Sequence, residues 1–372
     1  MIKRLLIAVI LLALPSLTIW ADKEVTPLAL GSIAPDFNLP GVDGRRYSLK
    51  DFADAKYLLV IFTCNHCPTA QYYEERIKQL ADDYKAKGVA VVAIQPNDDK
   101  AIRLDEVGYT DLSDSLDEMK IRAAYKQFNF PYLYDGETQS VTTAYGPQAT
   151  PHAFLFDTER KLQYAGRIDD SERLEFMKTQ DLRAALESLL AGKEIAVRQT
   201  KTFGCSIKWA EKRADAKRFL DKVAAEPVTL ETVDAAGLQA LRKNPTGKLL
   251  LINFWATWCG PCVTEFPELI TINRMYRQRA FEMVTVAAHT PDEKAEALAF
   301  LKKQQSAGRN LMFGATDKYA LMDAFDPDWT GALPYTLLIS PDGYVIYKEQ
   351  GSIDSLELKR AIVKSLKEDR FK

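Results

Sequence analysis

The sequence predicts an α/β protein of two domains, each a central mixed β-sheet flanked by helices. Its 372 residues suggest two domains at about 150 residues per domain. Both halves also repeat one order of elements, in which an apolar strand leads into a Cys-x-x-Cys motif, a helix and a second apolar strand. This order is typical of a βαβ unit with parallel strands. The two motifs are Cys64/Cys67 and Cys259/Cys262.

The composition excludes several classes of function. Lys plus Arg is 49 and Asp plus Glu is 51, so the formal net charge is -2. This balance argues against a basic nucleic-acid binder and against an acidic disordered tail, so no nucleic-acid partner is expected. Hydrophobic residues make up 47% and charged residues 27%, as in ordinary packed domains. Five cysteines are too few for a small fold held together by disulfides.

Residues 1–21 are predicted to be a signal peptide. Lys3 and Arg4 form a positive start, residues 5–20 carry no charge, and Ala21 supplies a small residue for cleavage. An uncleaved membrane anchor is the alternative, although the apolar run falls short of the ~20 residues that span a bilayer. An exported chain with two Cys-x-x-Cys motifs works in an oxidising compartment, so we expect a periplasmic protein.

The first domain is expected over residues 26–200. Apolar runs predict strands at 57–62, 89–94, 152–156 and 162–166, with helices at 71–87 and 180–191. Pro151 opens the third of these strands, which favours a cis-proline or an edge position. The acidic insertion at 97–130 is expected to be a solvated face.

A charged helical linker is expected over residues 201–225, followed by a second domain over 226–372. The second domain is predicted to contain strands at 249–254, 281–288, 335–339 and 344–347, with helices at 265–279 and 356–367. Pro334 opens its third strand in the same way as Pro151. Pro334 is therefore the second candidate cis-proline.

Both Cys-x-x-Cys motifs are expected at helix N-termini. Unpaired N–H groups and the helix dipole stabilise an anion there, and the thiolate is the nucleophile of thiol–disulfide exchange. We therefore predict a lowered pKa for Cys64 and Cys259, with Cys67 and Cys262 resolving the mixed disulfide. Such exchange requires no dissociable cofactor. A structural disulfide or part of a zinc site is the alternative.

His66 predicts a direction of electron transfer. A partly protonated imidazole beside Cys64 would stabilise its thiolate and raise the reduction potential of the first site. The second motif has Gly and Pro between its cysteines and offers no such charge. Electrons are therefore expected to run from the second site to the first. Alternatively, His66 and His152 could join Cys64 and Cys67 around a metal, and a copper-handling module is the non-enzyme alternative.

The second half resembles the thioredoxin superfamily, and within it the exported TlpA/ResA-like branch. The resemblance rests on residues 254–262, on Asn253, on Glu265-Phe266-Pro267 and on Pro334. It implies reduction of disulfide-bearing protein substrates, with electrons from a membrane thiol carrier. It also implies that Glu265 lies near the cysteines and assists proton transfer with Cys262. Alternatively, Glu265 is a first-turn acid that favours the helix dipole.

The first half resembles the peroxiredoxin-like (AhpC/TSA, redoxin) branch of the same fold. The resemblance rests on residues 31–40, on 47–52 and on Cys67-Pro68-Thr69. Cys64 replaces the threonine of that branch, and His152 stands near the place of its arginine. We therefore expect a peroxiredoxin scaffold used for dithiol exchange, with Pro151 on the peptide-docking edge that the thioredoxin resemblance implies. The enzyme alternative is a thiol peroxidase, acting on a small peroxide and regenerated by the second domain.

Cys205 has no partner in either motif. It could resolve a mixed disulfide on the first domain or pass electrons between the domains. An unpaired thiol is unusual in an exported protein. The alternative is a buried residue that packs as a small hydrophobe.

Overall fold

The structure, a computed structural model, describes residues 25–369 and contains two α/β units. The predicted signal segment, residues 1–21, lies outside these residues. The strands of the first unit are β1 (Asn38–Pro40), β2 (Arg46–Ser48), β3 (Tyr57–Phe62), β4 (Val89–Gln95), β5 (Tyr132–Tyr134), β6 (His152–Phe156) and β7 (Leu162–Gly166). Its helices are α1 (Pro68–Lys85), α2 (Leu116–Lys126), α3 (Ser140–Tyr145) and α4 (Asp181–Leu190), and α5 (Arg213–Ala224) follows.

The second unit has the same kind of architecture. Its strands are β8 (Glu231–Val233), β9 (Leu249–Trp255), β10 (Phe281–Ala287), β11 (Arg309–Phe313), β12 (Tyr335–Ile339) and β13 (Val345–Gln350). Its helices are α6 (Ala235–Arg242), α7 (Gly260–Tyr276), α8 (Lys294–Lys303), α9 (Lys318–Phe325) and α10 (Ser355–Asp369). Between residues 25 and 369, no helix combines the length and hydropathy that crossing a membrane requires.

Each unit is built on a mixed sheet, which confirms the predicted fold class. The first sheet has five strands in the order β5-β4-β3-β6-β7, and the second has six in the order β13-β12-β9-β10-β11-β8. The strand before each motif, β3 or β9, lies inside its sheet, parallel to one neighbour and antiparallel to the other. Both strands are almost entirely buried and apolar, with Asn253 of β9 as the buried polar exception, as expected of strands covered on both sheet faces.

The predicted linker begins as part of the first unit. Gln199 pairs with Ala165 of β7, and Cys205 pairs with Thr150 just before β6. The helix of this region, α5, starts only at Arg213. The chain therefore returns along the first sheet before it leaves for the second unit.

The insertion at 97–130 is not the solvated face that its composition predicts. Asp98, Asp111 and Asp114 are all buried. Ile102 and Val107 pack into a hydrophobic cluster of the second unit, because apolar residues of the insertion are interspersed with its acids. The insertion thus joins the two units. The prediction of a solvated face was wrong because it considered only the density of acidic residues.

The contact between the units is centred on the end of α7. The Tyr276 hydroxyl donates a hydrogen bond to the Thr110 carbonyl oxygen at 2.7 Å, and the Arg279 guanidinium donates one to Gly108 at 2.7 Å. Arg360 of α10 donates to Asp111 at 3.2 Å. These bonds fix the insertion against the second unit.

Tyr276→Phe is expected to lower the free energy of unfolding by about 1–3 kcal/mol, because a buried carbonyl loses its donor. Urea unfolding measures this change. Tyr319→Phe is the matched control, since that side chain is 77% exposed and its hydroxyl should matter little. Equal unfolding free energies for the two variants would contradict the described contact.

Candidate active site

The second site is a disulfide at the start of a helix. Cys259 is the N-cap of α7, and its Sγ accepts a hydrogen bond from the Cys262 N–H at 3.3 Å. The two sulfurs are bonded at 2.07 Å. Both cysteines are buried, with Cys259 the more exposed at 6%. When the bond is reduced, the helix N-terminus can stabilise a Cys259 thiolate.

Pro334 lies at the start of the strand next to this motif. The Leu333–Pro334 peptide bond is cis, as predicted. The following residue, Tyr335, pairs with Phe254 near the end of β9. This pairing brings the proline to the end of the sheet at which β9 leads into Cys259.

Glu265 is a buried acid on the same helix as the disulfide. Its carboxylate accepts hydrogen bonds from the Asn253 side chain at 3.2 Å and from the Ile353 N–H at 3.0 Å. Burial raises the pKa of Glu265 although both hydrogen bonds oppose the shift. Positions three apart on a helix share a face, so Glu265 lies on the face of Cys262. A raised pKa suits a group that exchanges protons near neutral pH.

Strand register shows which cysteine of the first motif corresponds to Cys259. Phe62 pairs with His152, and Phe254 pairs with Tyr335. Both partners directly follow a cis-proline, so the two phenylalanines are equivalent. The residues five positions after these phenylalanines are Cys67 and Cys259.

Cys67, not Cys64, therefore begins the helix of the first site. Cys67 is the N-cap of α1, and its Sγ accepts a hydrogen bond from the Ala70 N–H at 3.4 Å. Ala70 takes the position that Cys262 has in the second unit. Cys64 precedes the cap by three residues. The first motif therefore ends at the N-cap of its helix, whereas the second motif begins at the N-cap.

The prediction of a lowered pKa for Cys64 is wrong, because Cys64 does not lie at the N-terminus of the helix. Burial raises the pKa of Cys64, and the neighbouring Cys67 and Asp114 raise it further. Burial would also raise the pKa of Cys67. Hydrogen bonds from the Cys205 and Cys64 thiols, the helix N–H and the charge of His66 instead lower it well below the usual thiol range. The lowered pKa favours the thiolate of Cys67, which is the nucleophilic form of a cysteine.

His66 carries its charge because of a buried carboxylate. Its Nδ1 lies 2.6 Å from Oδ2 of Asp114, and both side chains are buried. Burial alone would lower the pKa of His66, but the carboxylate raises it overall. The Asp114 oxygens also accept hydrogen bonds from the N–H groups of Asn65 and His66 and from the Asn97 side chain. The charge of the imidazolium lowers the pKa of Cys67, whereas the sequence predicted this effect for Cys64.

One group of described residues could bring three metal-ligating atoms together. Cys64, His66 and Asp114 have ligand atoms within 4.8 Å of one another. Neither Cys67 nor His152, both proposed as ligands from the sequence, belongs to it. The Asp114 carboxylate already accepts four hydrogen bonds, which is the arrangement of a charge network rather than of an open ligand.

His152 is a neutral side chain of the strand after Pro151. The Thr150–Pro151 bond is cis, as predicted. The His152 ring stacks on Phe154, and Nδ1 accepts a hydrogen bond from the Gln148 N–H at 3.1 Å. Burial lowers the pKa of His152 to about 3. A neutral imidazole adds no charge to the thiols.

Cys205 belongs to the first site, although the sequence gave it no partner. Its side chain packs against Cys64, Cys67 and Ala70. The hydrogen bond to Cys67 and then burial raise the pKa of Cys205, so it is the thiol partner of a Cys67 thiolate. Cys205 and Asp114 lie far from the motif in the chain. For Cys205, the only signal in the sequence was that it had no partner in either motif. Nothing in the sequence distinguished Asp114 from the other acidic residues.

Comparison with known proteins places the chain in one family. The family model described as Redoxin matches residues 29–186 and again residues 224–362. The two matches cover most of the chain, which therefore belongs to the Redoxin family. This confirms the resemblance of both halves to the thioredoxin superfamily.

Curated relatives are named for disulfide chemistry. "Thiol-disulfide oxidoreductase ResA" of Bacillus subtilis is 32% identical over 120 residues, 32% of this chain and 63% of ResA. The chain thus spans less than two thirds of that relative. "Thiol:disulfide interchange protein CycY" of Rhizobium leguminosarum is 27% identical over 147 residues, 39% of this chain and 69% of CycY. Both names agree with the predicted enzyme class.

A solved structure matches about half of the chain. It is that of the hypothetical protein SMc02350 from Sinorhizobium meliloti. It is 38% identical, with a TM-score of 0.44, and the match covers 50% of this chain and 97% of that one.

His66→Asn is expected to raise the pKa of Cys67, because the stabilising charge is lost. Thiolate absorbance at 240 nm followed against pH measures this, in a Cys259→Ser/Cys262→Ser background that removes the thiols of the second site. The Cys64 and Cys205 thiols remain, but their raised pKa values put their titration at higher pH. The transition should move to higher pH. His152→Asn is the control and should leave the transition in place, since His152 is already neutral. An unchanged transition in His66→Asn would contradict the assigned role.

Proposed function

We propose that this protein is an exported thiol–disulfide oxidoreductase with two exchange sites, Cys259/Cys262 and the cluster around Cys67. Its substrates are disulfide-bearing proteins, and a membrane thiol carrier supplies the electrons. The export signal is residues 1–21, and the periplasm is the compartment that such a signal and two redox motifs fit. The catalytic residues are the cysteines of both motifs, assisted by Glu265 and bordered by Pro151 and Pro334.

The observation that carries this proposal is the shared position of Cys67 and Cys259. Each sulfur caps a helix and accepts a backbone N–H, next to a strand that a cis-proline opens. The positive end of the helix favours the thiolate over the thiol. The reaction is attack by this thiolate on a disulfide, followed by release through a second thiol.

The difference between the sites supports electron flow from the second to the first. At Cys67, hydrogen bonds from two thiols and the charge of His66 add to the helix N–H. At Cys259, the uncharged Trp258 stands in the position that His66 has before Cys67. Stabilising a thiolate stabilises the reduced form and raises the reduction potential. The first site is therefore the electron acceptor of the pair.

The relay also sets a requirement on movement. Within residues 25–369, no hydrogen bond or disulfide joins Cys259 or Cys262 to the first site. The bonds between the units instead lie near Tyr276, about 25 Å along α7 from Cys259 at 1.5 Å per residue. Transfer within one molecule thus involves movement of the units, whereas transfer between two molecules does not.

The reduction potential of the first site is expected to exceed that of the second by more than ~30 mV, a tenfold change in the equilibrium constant. Redox titration in dithiothreitol or glutathione buffers measures each potential. Cys259→Ser/Cys262→Ser isolates the first site, and Cys64→Ser/Cys67→Ser/Cys205→Ser isolates the second. Equal or inverted potentials would rule out the proposed direction.

Glu265→Gln is expected to slow reduction of a protein disulfide by about 100-fold and to remove one limb of the pH–rate profile. The reason is that a group able to carry the proton of Cys262 is lost. Glu268→Gln on the same helix is the matched control, since its side chain is 39% exposed. A slower rate with an unchanged pH profile would indicate that Glu265 only supports the fold.

A further inference from the structure

The first site lacks a resolving thiol at the usual helical position. Ala70 stands where Cys262 stands in the second unit, and it is fully buried. Two other cysteines border Cys67 instead. Cys64 comes from the loop before the helix, and Cys205 comes from the segment that returns along the first sheet.

Cys205 reaches the site as part of a strand-like segment. The Thr150 N–H donates a hydrogen bond to the Cys205 carbonyl oxygen at 3.0 Å, in an antiparallel bridge. Gly204 has a φ of +133°, and a Cβ there would overlap the Thr150 carbonyl oxygen. Only glycine therefore allows the segment to lie this close to the residue before Pro151.

Both flanks of the segment are anchored to the first unit. On one side, the N–H of Ala165 donates to Arg198, and the N–H of Thr200 donates to Ala165. On the other side, the Lys208 N–H donates to the Asn97 side chain at 2.8 Å. The position of Cys205 is thus fixed by bonds before and after it.

The segment lies where the resemblance to thioredoxins puts a bound peptide. In that resemblance, the cis-proline lines the peptide-docking edge, which puts the residue before it next to that edge. Thr150 occupies this position here, and its N–H is taken by the chain itself. The equivalent residue in the second unit is Leu333, and no backbone hydrogen bond to it occurs within the described part of the chain. The segment around Cys205 thus occupies this edge in the first unit, whereas no described segment bonds to the equivalent residue in the second unit.

We propose that residues 204–206 act as an internal occupant of this edge, and that Cys205 is the resolving cysteine, which forms a redox disulfide with Cys67. This inference rests on the proposed thiol–disulfide exchange at the first site and changes its partner from Cys64 to Cys205. Cys64 and Cys67 are 3% and 0% exposed, whereas Cys205 is partly exposed. A disulfide between Cys67 and Cys205 therefore presents one sulfur to an external reductant.

Oxidation of the pair balances as a two-electron exchange. The Cys67 thiolate attacks one sulfur of a substrate disulfide, and the other substrate sulfur leaves as a thiolate. Cys205, which packs against Cys67, then faces the mixed disulfide. Cys205 gives its proton to the substrate thiolate that left first, and its sulfur attacks the Cys67 sulfur. The second substrate sulfur then leaves as a thiolate. The substrate gains two electrons, and the cysteine pair loses two.

Reduction starts at the exposed sulfur. A thiolate of a dithiol reductant attacks Cys205, the bond to Cys67 breaks, and Cys67 leaves as the stabilised thiolate. The second thiol of the reductant then attacks the mixed disulfide and releases Cys205. A leaving group with a low pKa speeds the first of these steps.

Disulfide mapping of the full chain tests this inference. The reduced protein is oxidised with glutathione disulfide, blocked with N-ethylmaleimide and digested with trypsin. Cys64 and Cys67 lie in tryptic peptide 57–76, and Cys205 lies in peptide 202–208. We expect these two peptides to be joined. The join should persist in Cys64→Ser and disappear in Cys67→Ser.

Two results would overturn the inference, and they differ in what they mean for the proposed function. If 57–76 carries an internal disulfide while 202–208 carries the maleimide label, Cys64 is the resolving cysteine and exchange at the first site stands. If neither peptide forms a disulfide although Cys259–Cys262 does, the first site takes no part in exchange. The wild-type chain gives either answer without a variant.

Discussion

The hydrogen bond from a backbone N–H to a cysteine sulfur at a helix start is the interaction on which both sites depend. It fixes Cys67 at the start of α1 and Cys259 at the start of α7. At both sites it forms where a buried inner strand ends and the chain enters a helix. The sheets, with their mixed strand order, place these strand ends beside a proline-opened neighbour. The rest of each unit supports that junction.

The first unit adds several long-range contacts to this common arrangement. The carboxylate of Asp114 arrives from the insertion, and Cys205 arrives from the returning segment. Asp114 holds the positive charge of His66 beside Cys67, and Cys205 adds a second thiol donor to that of Cys64 around this buried sulfur. The second unit keeps a simpler site, in which Cys262 on the helix itself is the partner. Two copies of one fold thus hold sulfurs in different electrostatic surroundings.

Much of this could be predicted from the sequence. Apolar runs predicted β3, β6, β7 and β12 to the residue, because buried strands have few alternatives. The cis-prolines followed from prolines that open strands. The phase of the first motif was missed, although Pro68 is a first-turn proline that marks Cys67 as the cap. The places of Asp114 and Cys205 could not be predicted, since contacts across 48 or more residues depend on tertiary packing.

The contact around Tyr276 has a consequence for dissecting the protein. Cutting the chain between the two units would leave Ile102 and Val107 without the apolar surface that covers them. It would also strip the donors from the carbonyl groups of Gly108 and Thr110. An isolated first half would then expose an apolar surface on the insertion that also supplies Asp114 to its redox site. Each half would need polar substitutions on this contact surface to be stable alone.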